Sequence, residues 1–169
     1  MIHLLDASVL LIANHEFYGV NQVPEFWGWV HHKAQDGKIK LATEIYEEIK
    51  DDEHGVGEWV RRDDVRKSLL LTEDVDIKLV REVVKNGYAR DLNEMELEEL
   101  GRDPFLIAYA LADPANRTVV TVEKSKPSSQ RKNRKIPDVC KDLGIKCCDT
   151  ATFTKTLGFS TDWKNRLSG

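Results

Sequence analysis

The chain alternates short runs of consecutive apolar residues with longer stretches in which apolar positions recur every three or four. Short apolar runs bounded by turn formers read as buried strands, and the periodic stretches read as amphipathic helices. His3 to Leu5 is the first such run, and a helix through Ser8, Val9 and Ile12 follows it. Pro24 opens a second helix carrying Phe26, Trp27, Val30 and Ala34, and Gly37 ends it. Ile39 to Ala42 supplies a second strand, and Thr43 is placed to cap a helix bearing Ile45, Glu48 and Ile49. A polar stretch from Asp51 to Gly57 leads to further helical pattern around Trp59 and Val60, while the apolar run at 69–72 is too short to assign. Ile77, Val80 and Val84 mark another amphipathic helix that stops near Gly87.

Asn93, with Glu96 three residues later, has the form of a capping box. Asp103-Pro104 then opens FLIAYALA, apolar nearly all round, which predicts a buried helix. Thr118 to Val122 (TVVTV) is the clearest strand; beyond a polar loop, Pro137 begins a helix, Gly144 ends it, and IKCC is a last strand. This order predicts an α/β fold in three layers, α/β/α, with a mostly parallel central sheet. The 169 residues suit a single domain over 1–169, with a helical insertion at about 51–90.

Apolar residues make up 41% and charged residues 32%, the balance of a soluble globular protein, and no apolar stretch approaches the ~20 residues needed to span a membrane. The opening MIHLLDASVLL lacks the basic start and cleavage site of a signal peptide. Three cysteines without a Cys-x-x-Cys pair argue against a disulfide framework or a zinc site, and a cytoplasmic location is expected. The net charge of −4 conceals an asymmetry, because residues 124 to 135 (KSKPSSQRKNRK) hold six basic side chains and no acid. The rest of the chain carries 19 basic against 29 acidic residues. Such a block is either a polyanion contact or a solvated loop.

Four acids stand where an apolar run gives way to a predicted turn or to the first turns of a helix: Asp6, Glu48, Asp103 and Glu123. In an alternating α/β chain these positions fall at the carboxyl edge of a parallel sheet, where sites gather. Four carboxylates there would repel by roughly 4 kcal/mol per close pair at an effective dielectric near 20. They must protonate, stay apart or share a divalent cation. Each acid also has a plain structural reading. Asp6 is a good helix N-cap, and Asp103 before Pro104 is an ordinary helix start. The glutamates of 44–48 suit a solvated helix face, on which Glu44 rivals Glu48 for any site role. The scattered histidines form no metal set, and no phosphate loop or nucleophile elbow occurs.

Four stretches, HLLDASVLL, ATEIYEEI, RDPFLIAYALA and TVVTVEKS, resemble in their order and spacing a PIN domain, the small α/β nuclease fold. The resemblance runs from Met1 to about Phe159. Asp6 and Ser8 match the family's Asp-x-Ser/Thr, Asp103 with Leu106, Ile107 and Ala108 matches its third acid, and Glu123 after Thr121 matches its fourth. The family's second acid falls on Glu48, or on Glu44. Glu123 stands where aspartate is commoner, and the insertion and the ending KIPDVCKDLGIKC resemble an outlying branch. The resemblance implies hydrolysis of RNA phosphodiester bonds with Mg²⁺ or Mn²⁺, in the manner of the toxin ribonucleases of toxin–antitoxin pairs. It implies Asp6, Asp103 and Glu123 as metal ligands, Glu48 completing the cluster and Ser8 bonding a carboxylate or a metal-bound water. Lys124, Lys126, Arg131, Lys132, Arg134 and Lys135 would track the RNA backbone. The expected partners are RNA, an antitoxin protein and a second copy of the chain, with no membrane. Trp27 and Trp29 would serve either an antitoxin interface or the core. A non-catalytic RNA-binding or scaffold module and a metal-dependent DNase or phosphohydrolase are the alternative functions.

Overall fold

The computed structural model describes residues 1–167. Four parallel strands form its sheet: β1 (Ile2–Leu5), β2 (Ile39–Lys40), β3 (Arg117–Val120) and β4 (Lys146–Cys148), in the order β2-β1-β3-β4. Register pairs His3 with both Ile39 and Thr118, and Val120 with both Leu5 and Cys148. The two central strands are buried along nearly their whole length, as continuous apolar runs in parallel sheets require.

Helices cover both faces. α1 (Ala7–Ile12), α2 (Pro24–Gln35) and α10 (Thr150–Thr156) share one side, where Trp29 of α2 meets Phe153 of α10 edge-on at 5.5 Å between ring centroids. α8 (Asp103–Ala112) and α9 (Ile136–Asp142) pack together on the other, with α8 also against β3. This is the expected three-layer α/β/α fold. Leu106 and Ile107 of α8 are wholly buried, each worth about 1.5–3 kcal/mol of hydrophobic transfer. Trp27 and Trp29 are also core residues, at 2% and 0% exposure, so neither supplies an interface.

α3 (Thr43–Ile49), α4 (Val56–Arg61), α5 (Asp63–Leu69), α6 (Ile77–Glu82) and α7 (Glu94–Leu100) join β2 to α8. The unassigned run at 69–72 proves to be part of the sheet margin: Leu70 bridges Leu41 in parallel, and Leu41 N–H donates to Leu69 at 2.8 Å. α6 continues as a wider π-helical turn over Val83–Tyr88, as α1 does over Ala13–Phe17. The capping box at Asn93 and Glu96 forms as expected. Thr43 does not cap α3; Ala42 holds that position and Thr43 is the first helical residue. β3 also ends earlier than TVVTV suggests, at Val120, with Thr121 N–H still donating to Cys148 O at 3.2 Å as the chain turns toward the site. α10 carries no distinctive apolar period and is not evident from sequence, although Asp149 caps it at Thr152.

Candidate active site

Asp6 leaves β1 at the sheet's carboxyl edge, where its own N–H donates to Val120 of β3 at 2.9 Å. It occupies the cap position of α1, yet its carboxylate makes no capping hydrogen bond. Instead Oδ2 accepts from the hydroxyls of Ser8 and of Thr121, the latter at 2.8 Å. Thr121 Oγ1 in turn accepts from Glu123 N–H at 3.1 Å. This relay of donors polarises each bond in the next and fixes the orientation of Asp6. The cap reading of Asp6 is therefore corrected. One oxygen is clasped from two strands' ends, and Oδ1 has no protein donor among the described residues.

Asp103 arrives from the opposite direction. Gly101 closes α7 with φ +58° and ψ −124°, a conformation only glycine adopts readily, and the chain turns at once into α8. Arg102 takes the cap position without a side-chain cap bond, so Asp103 is not a capping residue either. Burial, followed by the nearby Asp6, Glu123 and Glu48 carboxylates, raises the Asp103 carboxyl to about 7, with Lys135 opposing. Burial and then Asp6 also push Glu48 upward, against Arg102. Each shift opposes the charged form, as expected where burial and neighbouring carboxylates outweigh the nearby Lys135 and Arg102 charges.

Helix direction separates Glu48 from Glu44. α3 runs antiparallel to α8, so Glu48 stands near Asp103 at the start of α8 and Glu44 near Tyr109 at its end. Burial and then Glu44 push the Tyr109 hydroxyl up to about 12. Glu44 Oε2 is buried without a hydrogen bond, and it belongs to a separate place from the cluster. Asp6, Glu48, Asp103 and Glu123 thus converge, and Glu44 does not.

Glu123 is less free than the sequence implies. Its Oε1 accepts from Lys135 Nζ and its Oε2 from Ile136 N–H, both at 2.8 Å. Among the described residues no three His, Cys, Asp or Glu side chains stand together around one ion position as placed. With both Glu123 oxygens engaged, Asp6 Oδ1 and Asp103 are the open oxygens beside the exposed Glu48. An all-oxygen pair of that kind matches Mg²⁺ or Mn²⁺, which keep several waters and bind through one or two carboxylates.

Two site residues were missed by the sequence reading. Thr121 entered it only as a motif residue, and its hydroxyl proves to hold Asp6. Tyr88, at the end of the π-helical turn, is buried, and its hydroxyl has no hydrogen-bond partner. Burial, and then the charges of Asp103 and Glu123, raise its pKa, which places a buried phenol in the neighbourhood of the acids without a bond to them. Gly87 lets this segment approach α9, since a Cβ there would lie 2.5 Å from Val139 Cγ1. The glycine was the available signal; nothing local marks Tyr88.

The basic block is a strapped loop rather than a free polycation. Arg131 binds Glu96 at 2.7 Å and Asp91 at 2.8 Å, Arg134 binds Asp142 at 2.5 Å, and Lys132 pairs with Glu99. Lys135 holds Glu123, and Lys124 reaches Asp149 at 3.3 Å with most of its side chain exposed. Only the Lys126 side chain has no acidic partner among the described residues. Asp138 is buried and secures the loop's start, accepting from Ser125 Oγ at 2.5 Å and Lys126 N–H at 2.7 Å. Lys126 can therefore meet a polyanion directly and Lys124 at the loss of one long, exposed ion pair, while the other four must first leave closer partners. On the far side of the acids, Glu48, Lys50, Arg102 and Asp103 line an open cleft of about 630 Å³.

Among the described residues no helix is long and apolar enough to cross a membrane. No curated protein matches the chain. Residues 3–161 match the family described as Domain of unknown function (DUF4411), and over that span, nearly the entire sequence, the chain belongs to that family.

Proposed function

We propose that the chain is a metal-dependent ribonuclease that hydrolyses RNA phosphodiester bonds with Mg²⁺ or Mn²⁺ held by Asp6 and Asp103. The observation that carries this reading is the convergence of four acids from separate segments on one sheet edge, with neither aspartate used to cap its helix. Folding alone gives no reason for that arrangement, because each neighbouring carboxylate makes Asp103 harder to ionise. A divalent cation reverses the sign of the effect. When bound, such an ion activates a water and offsets charge on the transferring phosphoryl group.

The chain's own residues then have distinct tasks. Ser8 and Thr121 fix Asp6 with one oxygen turned to the site, and Lys135 restrains Glu123 beside Asp103. Glu48, exposed at the rim, orients the attacking water. Lys124 and Lys126 hold backbone phosphates, which gives salt-dependent affinity without base readout. The resemblance to PIN domains supports the same assignment, since its motifs fall on Asp6, Asp103 and Glu123. Restraint by an antitoxin protein belongs to this proposal, with a contact surface other than Trp27 and Trp29.

Calorimetric titration with Mn²⁺, alongside an RNA cleavage assay, tests it on wild type and Asp103→Asn at fixed pH and salt. We expect saturable binding and cleavage in wild type and loss of both in the folded variant. Two folded proteins that neither bind the ion nor cut RNA would refute the proposal. One observation favours a second reading, a non-catalytic RNA-binding module: both oxygens of Glu123 are already engaged. That module would bind RNA equally after Asp6→Ala and Asp103→Ala. A panel of single- and double-stranded substrates separates RNA from DNA.

A further inference from the structure

A pocket of about 390 Å³ adjoins the acidic cluster on the face covered by α1, α2 and α10. Val9, Phe17, Tyr18, Phe26, Val122 and Phe153 form most of its wall. Its position relative to the acids is fixed by the chain itself. Val122 lies between Thr121, which clasps Asp6, and Glu123; Val9 N–H donates to Asp6 O at 3.0 Å. Through Val9 and Val122 the pocket thus reaches the chain segments that carry Asp6 and Glu123. Lys124 stands at its mouth, mostly exposed and held by a single 3.3 Å contact.

We propose that this pocket seats one base of a single-stranded RNA, the nucleotide next to the phosphate at the acids, with Lys124 on the intervening backbone. The proposal rests on the ribonuclease reading and names how the substrate is held. Three observations favour a base over other occupants. The first is Phe17, 65% exposed at the rim, an aromatic face open to solvent on a chain that buries most of its aromatics. Phe17 is tilted 49° from Tyr18 at 6.3 Å, so Tyr18 does not cover it. The second is the rigidity beneath: Tyr18 stacks on Phe26 at 4.5 Å and 16°, and Trp27 Nε1 donates to Tyr18 O at 2.5 Å. A preformed aromatic wall binds a flat ring without first ordering itself. The third is the pairing of an apolar slot with the largely exposed Lys124 ammonium, held by one 3.3 Å ion pair to Asp149, beside a phosphate-directed site, a combination suited to single-strand binding.

The wall offers little to read a base edge. Thr154 Oγ1 already donates to Thr150 O at 3.0 Å and to Ala151 O at 3.1 Å. Base preference therefore falls to stacking area and to the Tyr18 and Thr150 hydroxyls that also line the pocket.

The test is an abasic scan of a short single-stranded RNA, with affinity measured without divalent ions so that binding is separated from cleavage. Wild type, Phe17→Ala and the pocket-filling Ala151→Trp are compared; both positions are exposed, so both variants should fold. We expect one abasic position to weaken wild-type binding about 5- to 150-fold. Phe17→Ala and Ala151→Trp should weaken intact RNA in the same direction and add nothing at that abasic position. A flat scan overturns the pocket, as does complete absence of RNA binding or an additive response to the two changes. Cleavage with Mn²⁺ is recorded in parallel. A flat scan with cleavage intact rejects the pocket alone, and a position-specific, non-additive loss without cleavage rejects hydrolysis while keeping the base site.

Discussion

Replacing Asp103 with asparagine should make the protein more stable near neutral pH, and the size of the gain follows from the cluster. The carboxyl ordinarily titrates at 3.8 and is raised to about 7 in the fold. Because the folded state holds this proton more tightly, the associated stability is complete below pH 3.8 and is lost as pH rises through about 7. Each decade of proton affinity is worth about 1.36 kcal/mol, so the full loss between pH 4 and pH 8 is about 4 kcal/mol. Asp103 keeps partial access to water, which screens part of this, and about 2–4 kcal/mol is expected. Asparagine is nearly isosteric and uncharged, so Asp103→Asn should match wild type at pH 4 and exceed it by that amount at pH 8. Urea unfolding at pH 4, 6 and 8 in the presence of chelator measures the difference directly. Excess Mn²⁺ should then stabilise wild type at pH 8, by about 2.7 kcal/mol at a hundred times Kd, and leave the variant unmoved. A stability gap that does not widen from pH 4 to pH 8 would refute the account of the site as mutually repelling acids.

Three further substitutions probe its supports. Thr121→Val removes the buried donor to Asp6 and leaves its carboxylate short of a partner, which should cost about 1–3 kcal/mol in urea unfolding and weaken Mn²⁺ binding. Tyr88→Phe deletes a buried hydroxyl that has no hydrogen bond, so thermal unfolding should show unchanged or higher stability, while a loss of RNA cleavage would identify the hydroxyl as a site group. Gly87→Ala drives a methyl against Val139 and should cost about 1–3 kcal/mol by overpacking; an unchanged midpoint would show that α9 can give way.

The sequence disclosed the fold where a single local pattern decided the matter. Consecutive apolar residues at 3–5 and 118–120 became the central strands, and Asn93 with Glu96 became a capping box. Asp6, Asp103 and Glu123 were visible by their places at run ends or a helix start, and Glu48 only as one of the glutamates of 44–48. Their orientation was not, because it depends on partners far away in the chain: Asp6 on Thr121, Glu123 on Lys135, Glu48 on the direction of α3. Composition likewise marked the basic block, yet acids between Asp91 and Asp149 neutralise most of it, and apart from Arg134 with Asp142 the halves of these pairs lie far apart in the chain. Tyr88 shows the same limit, since an orphaned hydroxyl is defined only by what surrounds it.

The hydrogen bond from Thr121 to Asp6 joins residues 115 apart in sequence, and this has a consequence for the order of assembly. β1 pairs with β2 once residue 40 is made, but its other edge waits for β3. Loop closure over such a distance comes late and slowly. A nascent chain that stops before Thr121 lacks the clasp on Asp6 and the carboxylate of Glu123 alike. Competence of the site is therefore tied to completion of the fold, and partial products of synthesis carry the acids without the geometry that gathers them.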